Sequence, residues 1–201
     1  MRKLFIIAIA LCLLAAPLAA SAFNLADYDL DSMMPLFDSM SRAFESESAS
    51  PATNDNPNFI WLSLFYYGTN FSGSNPDAEF TGDYLYASLP SDTVLGVAQA
   101  MFYGLRYLPE IPQYLTEWDD ILYEPAADRL FFMQSDMGES YTEIDMITRD
   151  ELGRLMVTVG MYWYDYEADE AVFMDDLTFV LDDNPSDTSP YYQAIVSVGR
   201  G

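Results

Sequence analysis

The chain has 201 residues, with 32 Asp and Glu against eight Lys and Arg, no histidine and one cysteine, for a formal charge of −24 at pH 7. Having no histidine, and its one cysteine inside an apolar leader, it lacks the residues for ordinary zinc or copper sites and for Ser-His-Asp or Cys-His nucleophiles. Such a charge repels nucleic acid, anionic lipid and polyanionic wall polymers, and attracts cationic surfaces and divalent metal.

The chain opens "MRKLFIIAIALCLLAAPLAASAF". Arg2 and Lys3 form a basic end, Leu4 to Ala16 is apolar but short for a bilayer, and Ala20-Ser21-Ala22 supplies small residues for a signal peptidase. Residues 1–22 therefore read as a secretory signal cut after Ala22, which makes the expected location extracytoplasmic. Cys12 follows Leu11, whereas a lipid-bearing cysteine follows a small residue, so no stable membrane anchor is expected after cleavage. Cleavage removes the only cysteine and the only lysine, leaving six arginines against 32 acids, a formal charge of −26. Disulfides, Ser-Lys dyads and lysine Schiff bases are then excluded. Carboxylates, tyrosine, arginine and hard cations held by oxygen are what the chemistry has left.

Residues 23–55 read as an N-terminal helix and an exposed linker, and 56–201 as an α+β domain. Met33, Leu36, Phe37, Met40 and Phe44 recur at helical spacing, with Pro35 assigned to a first turn. "ESESASPATNDNPN" is polar and turn-rich, and reads as linker. "NFIWLSLFYYGTNF" is apolar all round, with Ile60, Leu64 and Tyr67 on one face, and reads as a buried helix; "SGSNPDAEFTGD" reads as a loop. A helix follows from Ser91 as N-cap to Leu105, its apolar stripe running through Val94, Leu95, Ala98, Met101, Phe102 and Leu105, with Pro109 and Pro112 beyond it. From about residue 128 the period changes to two. Five strands are predicted, at Arg129–Gln134, Tyr141–Arg149, Leu152–Tyr164, Ala171–Leu181 and Tyr191–Gly199, with short links that make an antiparallel meander. The expected sheet lies wholly after residue 125, and the Ser91 helix is expected to cross it over Val157, Val159, Phe179 and Leu181.

Within "VTVGMYWYDYEADEAVFMDDLTFVL", Leu155, Val157, Val159, Met161 and Trp163 point one way, and Met156, Thr158, Tyr162 and Tyr164 the other. Phe173, Leu177, Phe179 and Leu181 are assigned to the apolar face as well. The candidate binding residues are the tyrosines of the second face and the acids of the turn beside them: Tyr162, Tyr164, Asp165, Glu167, Asp169 and Glu170. The calcium candidates are Asp165, Glu167 and Asp169 in "DYEADE" and Asp182 and Asp187 in "DDNPSD". "DYDLDSMMPLFD" places Asp27, Asp29, Asp31 and Asp38 at calcium-loop positions, but Ser32 stands where the loop's glycine belongs. No other cofactor is implied. A glycosidase needs two carboxylates about 5–9.5 Å apart across a cleft, and among 32 acids no pair is singled out.

A helix carrying "MFYG", then "YEPAADRLFFMQSDMGESYTEI" and a closing meander, resembles the helix-plus-curved-sheet layout of cystatin-like and NTF2-like secreted domains. Among these it is similar to secreted bacterial inhibitors of cell-wall endopeptidases. The resemblance covers residues 89–199, with "SDMGESY" its most distinctive stretch. It implies N-terminal helices packed on one five-stranded antiparallel curved sheet, and a non-catalytic domain that occupies a hydrolase cleft. No site residue transfers with it. Two alternatives stand beside an extracellular or cell-envelope binding module: a secreted carboxylate-dependent, glycan-directed hydrolase, and a structural envelope domain without a discrete ligand.

Overall fold

A computed structural model describes residues 29–134 and 140–200. The leader with its cut site, Asp27 and most of "SDMGESY" lie outside the described residues. No described helix is long and apolar enough to cross a membrane.

The first helix, α1 (Leu30–Phe44), buries Met33, Leu36, Phe37 and Met40, four of the five positions its spacing singled out, and leaves Phe44 half-buried. Pro35 lies inside it, not in the first turn, and the Ser39 hydroxyl donates to the Pro35 carbonyl at 2.6 Å. The segment after α1 is exposed yet pinned. The Asn54 side chain donates to the Val196 carbonyl at 3.1 Å, and that of Asn56 to the carbonyls of Ala49 and Pro51. Asn56 also caps α2 (Pro57–Asn70) by accepting the Asn58 N–H at 3.0 Å, with Pro57 at the position where a missing N–H costs nothing. α2 is buried on nearly every side, through Phe59, Ile60, Trp61, Leu64 and Tyr67.

The class is α+β, as expected, but the strands form two four-stranded antiparallel sheets and not one of five. The first sheet takes β1 (Glu79–Phe80), β2 (Tyr86–Pro90), β3 (Ile121–Glu124) and β4 (Arg129–Met133), in the order β1-β2-β4-β3. β5 (Ser140–Arg149), β6 (Leu155–Asp165), β7 (Glu170–Asp183) and β8 (Gln193–Arg200) form the second as a meander. The expectation of one sheet after residue 125 fails because β4 fills both of its hydrogen-bonding sides with β2 and β3. No side is left for β5. β1 lies within the stretch read as loop, and β3 is too short to establish a period.

Helix α3 (Ser91–Met101) departs from expectation at both ends. Pro90 holds the cap position without a side-chain bond, and the Ser91 hydroxyl instead donates to Asp128 Oδ1 at 2.6 Å. The helix stops at Met101, short of Leu105, because Phe102 turns to extended backbone (φ −132°, ψ 92°) and the Tyr103 N–H bonds the Ile195 carbonyl of β8 at 3.0 Å. Gly104 follows at φ +79°, a conformation that costs a glycine little. Phe102 is fully buried, edge-to-face on Phe59 at 5.6 Å. α3 packs on α2, β2, β4 and β8. The apolar face of the second sheet is buried at Leu155, Val157, Val159, Leu177, Phe179 and Leu181. There the ring facing Phe179, at 4.9 Å, is Phe37 of α1 and not a residue of α3.

Candidate binding surface

The β6–β7 pairing shifts register after Met161. Met161 pairs Asp175 and Tyr162 pairs Phe173, so Met174 is an extra residue on β7. One extra residue reverses the facing of everything beyond it. Phe173, assigned by alternation to the apolar face, therefore lies beside Tyr162 and is 54% exposed. Trp163, assigned to the same apolar face, is 42% exposed, since the hairpin runs on past the packed core.

Tyr162 sits in a built setting. Its ring stacks on Tyr141 of β5 at 5.6 Å (20° between planes) and meets Phe173 edge-on at 5.6 Å. Its hydroxyl donates to Asp145 Oδ1 at 3.0 Å. Asp145 reaches it from a second irregularity, the shift in β5 between Ile144 and Met146, where bulges commonly re-aim a side chain. Gly160 makes room for both groups. A Cβ there would lie 2.3 Å from Asp145 Oδ2 and 2.7 Å from the Tyr162 ring. The bond to Asp145, with smaller contributions from desolvation and nearby carboxylates, holds the Tyr162 phenol above its ordinary range. The Tyr162 phenol is thus held between its ring neighbours and its bond to Asp145.

Tyr164 lies further out. Its hydroxyl donates to Asp169 Oδ1, which raises its pKa, and its ring meets that of Tyr166 at 4.9 Å. Asp165 accepts the N–H groups of Glu167 and Ala168 and so forms the turn; Asp169 takes φ +55° there. The predicted site residues thus divide. Tyr162 belongs to a row with Tyr141 and Phe173. Tyr164, Asp165 and Asp169 close the hairpin, and Glu167 and Glu170 stand exposed beside them. Among the other calcium candidates, Asp182 turns Oδ1 to the Asp183 N–H at 2.9 Å, and Asp187 is exposed. Among the described residues no three acidic side chains are grouped to hold a metal ion. Asp38, from the acid-rich motif, is instead buried and paired with the half-buried Arg42 at 2.7 Å.

The outward face also carries Tyr141, Asp145, Gly160 and Phe173, which the sequence reading did not include. Their signal was the pair "MYWYDY" and "YTEIDM", matched across a hairpin, but only the two bulges set which residues meet. Elsewhere, the loop after α3 borders surface clefts. One of about 270 Å³ is walled by Trp61, Leu108, Ile111 and Leu130, and the Trp61 indole donates to the Pro109 carbonyl at 2.9 Å. Another, of about 380 Å³, holds Tyr103, Arg106 and Tyr107. Asp120 is the one carboxyl among the described residues whose pKa is raised, first by burial and then by its chain neighbour Asp119. No family model, curated protein or solved structure matches this chain.

Proposed function

We propose that the chain is a non-catalytic binding module acting outside the cytoplasm. Its recognition surface is the distal half of the β6–β7 hairpin with the Tyr141–Tyr162–Phe173 row, and its partner is a basic extracellular or cell-envelope protein. One observation carries the reading. Trp163, Tyr166, Val172, Phe173 and Met174 are each at least 40% exposed on a stretch that also holds four acids and no basic residue. Exposed apolar side chains concentrated in this way mark interaction sites, and rigid aromatics are favoured anchors because they lose little entropy on binding. The acids around them select a cationic partner, speed its approach and repel polyanions.

The test is affinity capture from envelope and extracellular fractions, with the wild-type chain and a Tyr166→Ser/Phe173→Ser variant as baits. The expected result is a basic protein held by the wild type, released by moderate salt and not held by the variant. Equal retention by both baits would sink the reading.

A further inference from the structure

β8 ends at Arg200, which pairs Leu177 of β7. β7 begins earlier, at Glu170. Over residues 170–176 it pairs with β6 alone, and its other edge has no strand beside it among the described residues. That edge is about 20 Å long at the usual rise per residue. The Asp176 N–H is taken by the Asp175 side chain at 2.9 Å. Residues 170–175 form no backbone hydrogen bond outside the β6 pairing among the described residues.

Protected edges carry proline, lysine, a sharp bulge or a covering element. This one has no proline or lysine. Its bulge residue, Met174, leaves Glu170 to Phe173 in continuous register with β6. Val172 is paired with Trp163, and Phe173 with Tyr162. A strand laid along this edge would place alternate side chains beside Val172 on one face and beside Phe173 on the other. We propose that residues 170–176 of β7 are a docking edge for an extended basic segment of a partner protein, which adds to the sheet as a further strand.

Charge decides between a partner and a second copy. Two copies paired antiparallel about Phe173 would set Glu170 of each against Asp176 of the other, on chains carrying −24 apiece. A segment with lysine or arginine flanking an apolar centre meets Glu170 and Asp176 with opposite charge. Asp175 is already paired with Arg200 at 2.7 Å. Main-chain bonds would then supply affinity, and the side-chain rows and acidic flanks specificity.

The inference rests on the binding function proposed above and names how the partner is held. The probe is a synthetic peptide of alternating Val and Thr with two Lys at each end, at millimolar concentration, compared with the same peptide ended in Glu. The readout is residue-resolved amide hydrogen exchange of the full chain. The expected result is at least tenfold slower exchange within 170–175 with the Lys-ended peptide, no slowing with the Glu-ended one, and loss of the effect in Val172→Pro. The cores of β6 and β8 should keep wild-type protection in that variant, which reports that it is folded. Absent protection, or protection confined to other strands, would overturn the docking edge, while the capture experiment above could still succeed through the tyrosine face. A dimer in sedimentation that protects 170–175 without peptide would also overturn it, in favour of self-pairing.

Discussion

Replacing Gly68 by Ala probes how tightly α2 is seated on the first sheet. A Cβ on Gly68 would stand 2.2 Å from Cγ of Phe132 and 2.5 Å from both of its Cδ atoms. Carbon atoms in contact settle at about 3.5–4.0 Å, so the ring would have to withdraw by more than an ångström. Phe132 is 1% exposed and lies on β4 between β2 and β3, which leaves it little room to withdraw. Overpacking of this kind costs about 1–3 kcal/mol, and the contact here puts the cost near ~3. Ala is the better helix former by about 1 kcal/mol. The net expectation is a loss of about 2 kcal/mol. With a urea m-value of about 2 kcal/mol/M, the midpoint should fall by about 1 M. For a domain of this size the Tm should fall by about 4–8 °C. The same substitution in a Phe132→Ala background should be far milder, since the new methyl enters vacated space, giving a coupling of about 1–3 kcal/mol. A Gly68→Ala chain as stable as the wild type, or additive effects in the cycle, would refute this seating of α2.

Phe102→Ala removes a fully buried ring and its edge contact with Phe59, and should cost about 3–5 kcal/mol in the same urea titration; a cost below about 1 kcal/mol would contradict its burial. The acid response should have two parts. The pKa values of Asp83 and Asp128 are lowered in the fold by their hydrogen-bond partners, and that of Asp150 is lowered because, against its desolvation, bonds from Arg154 and Leu152 together prevail, so the stability they contribute is present at neutral pH and lost as pH falls below the ordinary carboxylate range. The pKa of Asp120 is raised, so its contribution has the opposite sign: fully present at low pH and lost as pH climbs through the raised value. Thermal melts across acid pH should therefore show a gain in mild acid that Asp120→Asn abolishes, then a loss below about pH 4; a profile falling steadily from neutrality would contradict the assignment of Asp120.

Much of the fold was open to a reading of periodicity, and its failures share one cause. α1, α2 and α3 each carry an apolar stripe or a continuous apolar run of helical length, and the four strands of the meander alternate over eight residues or more. β1, β2 and β3 are too short for alternation to rise above composition, and they are set by pairing, β2 and β3 with β4 and β1 with β2. α3 was legible as far as Met101, but its end was set from outside, by the bond from Tyr103 to Ile195. The same limit governs the candidate surface. Tyr162 was legible on the outward face because Thr158 and Tyr164 share its parity. Phe173 was not, because a bulge at Met174 changes parity and nothing local in "EAVFMDD" marks it. Asp145 likewise reads as an ordinary strand acid until the β5 irregularity turns it toward Gly160.

The acids that dominate the composition fall into different classes once their partners are named. Asp83, Asp150 and Asp165 accept backbone N–H groups two residues on and hold turns. Asp128, Asp145 and Asp169 accept tyrosine hydroxyls, and Asp38 and Asp175 pair with Arg42 and Arg200. These acids hold local geometry, and changing one should act on its own turn, ring or ion pair. Glu167 and Glu170 are different: they stand exposed beside Trp163, Tyr166, Val172 and Phe173, which are exposed on the same hairpin. A surface needed only for solubility would bury those rings and spread its charges. Keeping apolar side chains in water costs free energy that a partner can recover, and ringing them with like charge keeps two copies of the chain from recovering it with each other. On this ground the partner proposed for the hairpin is a basic protein and not a second copy of the chain.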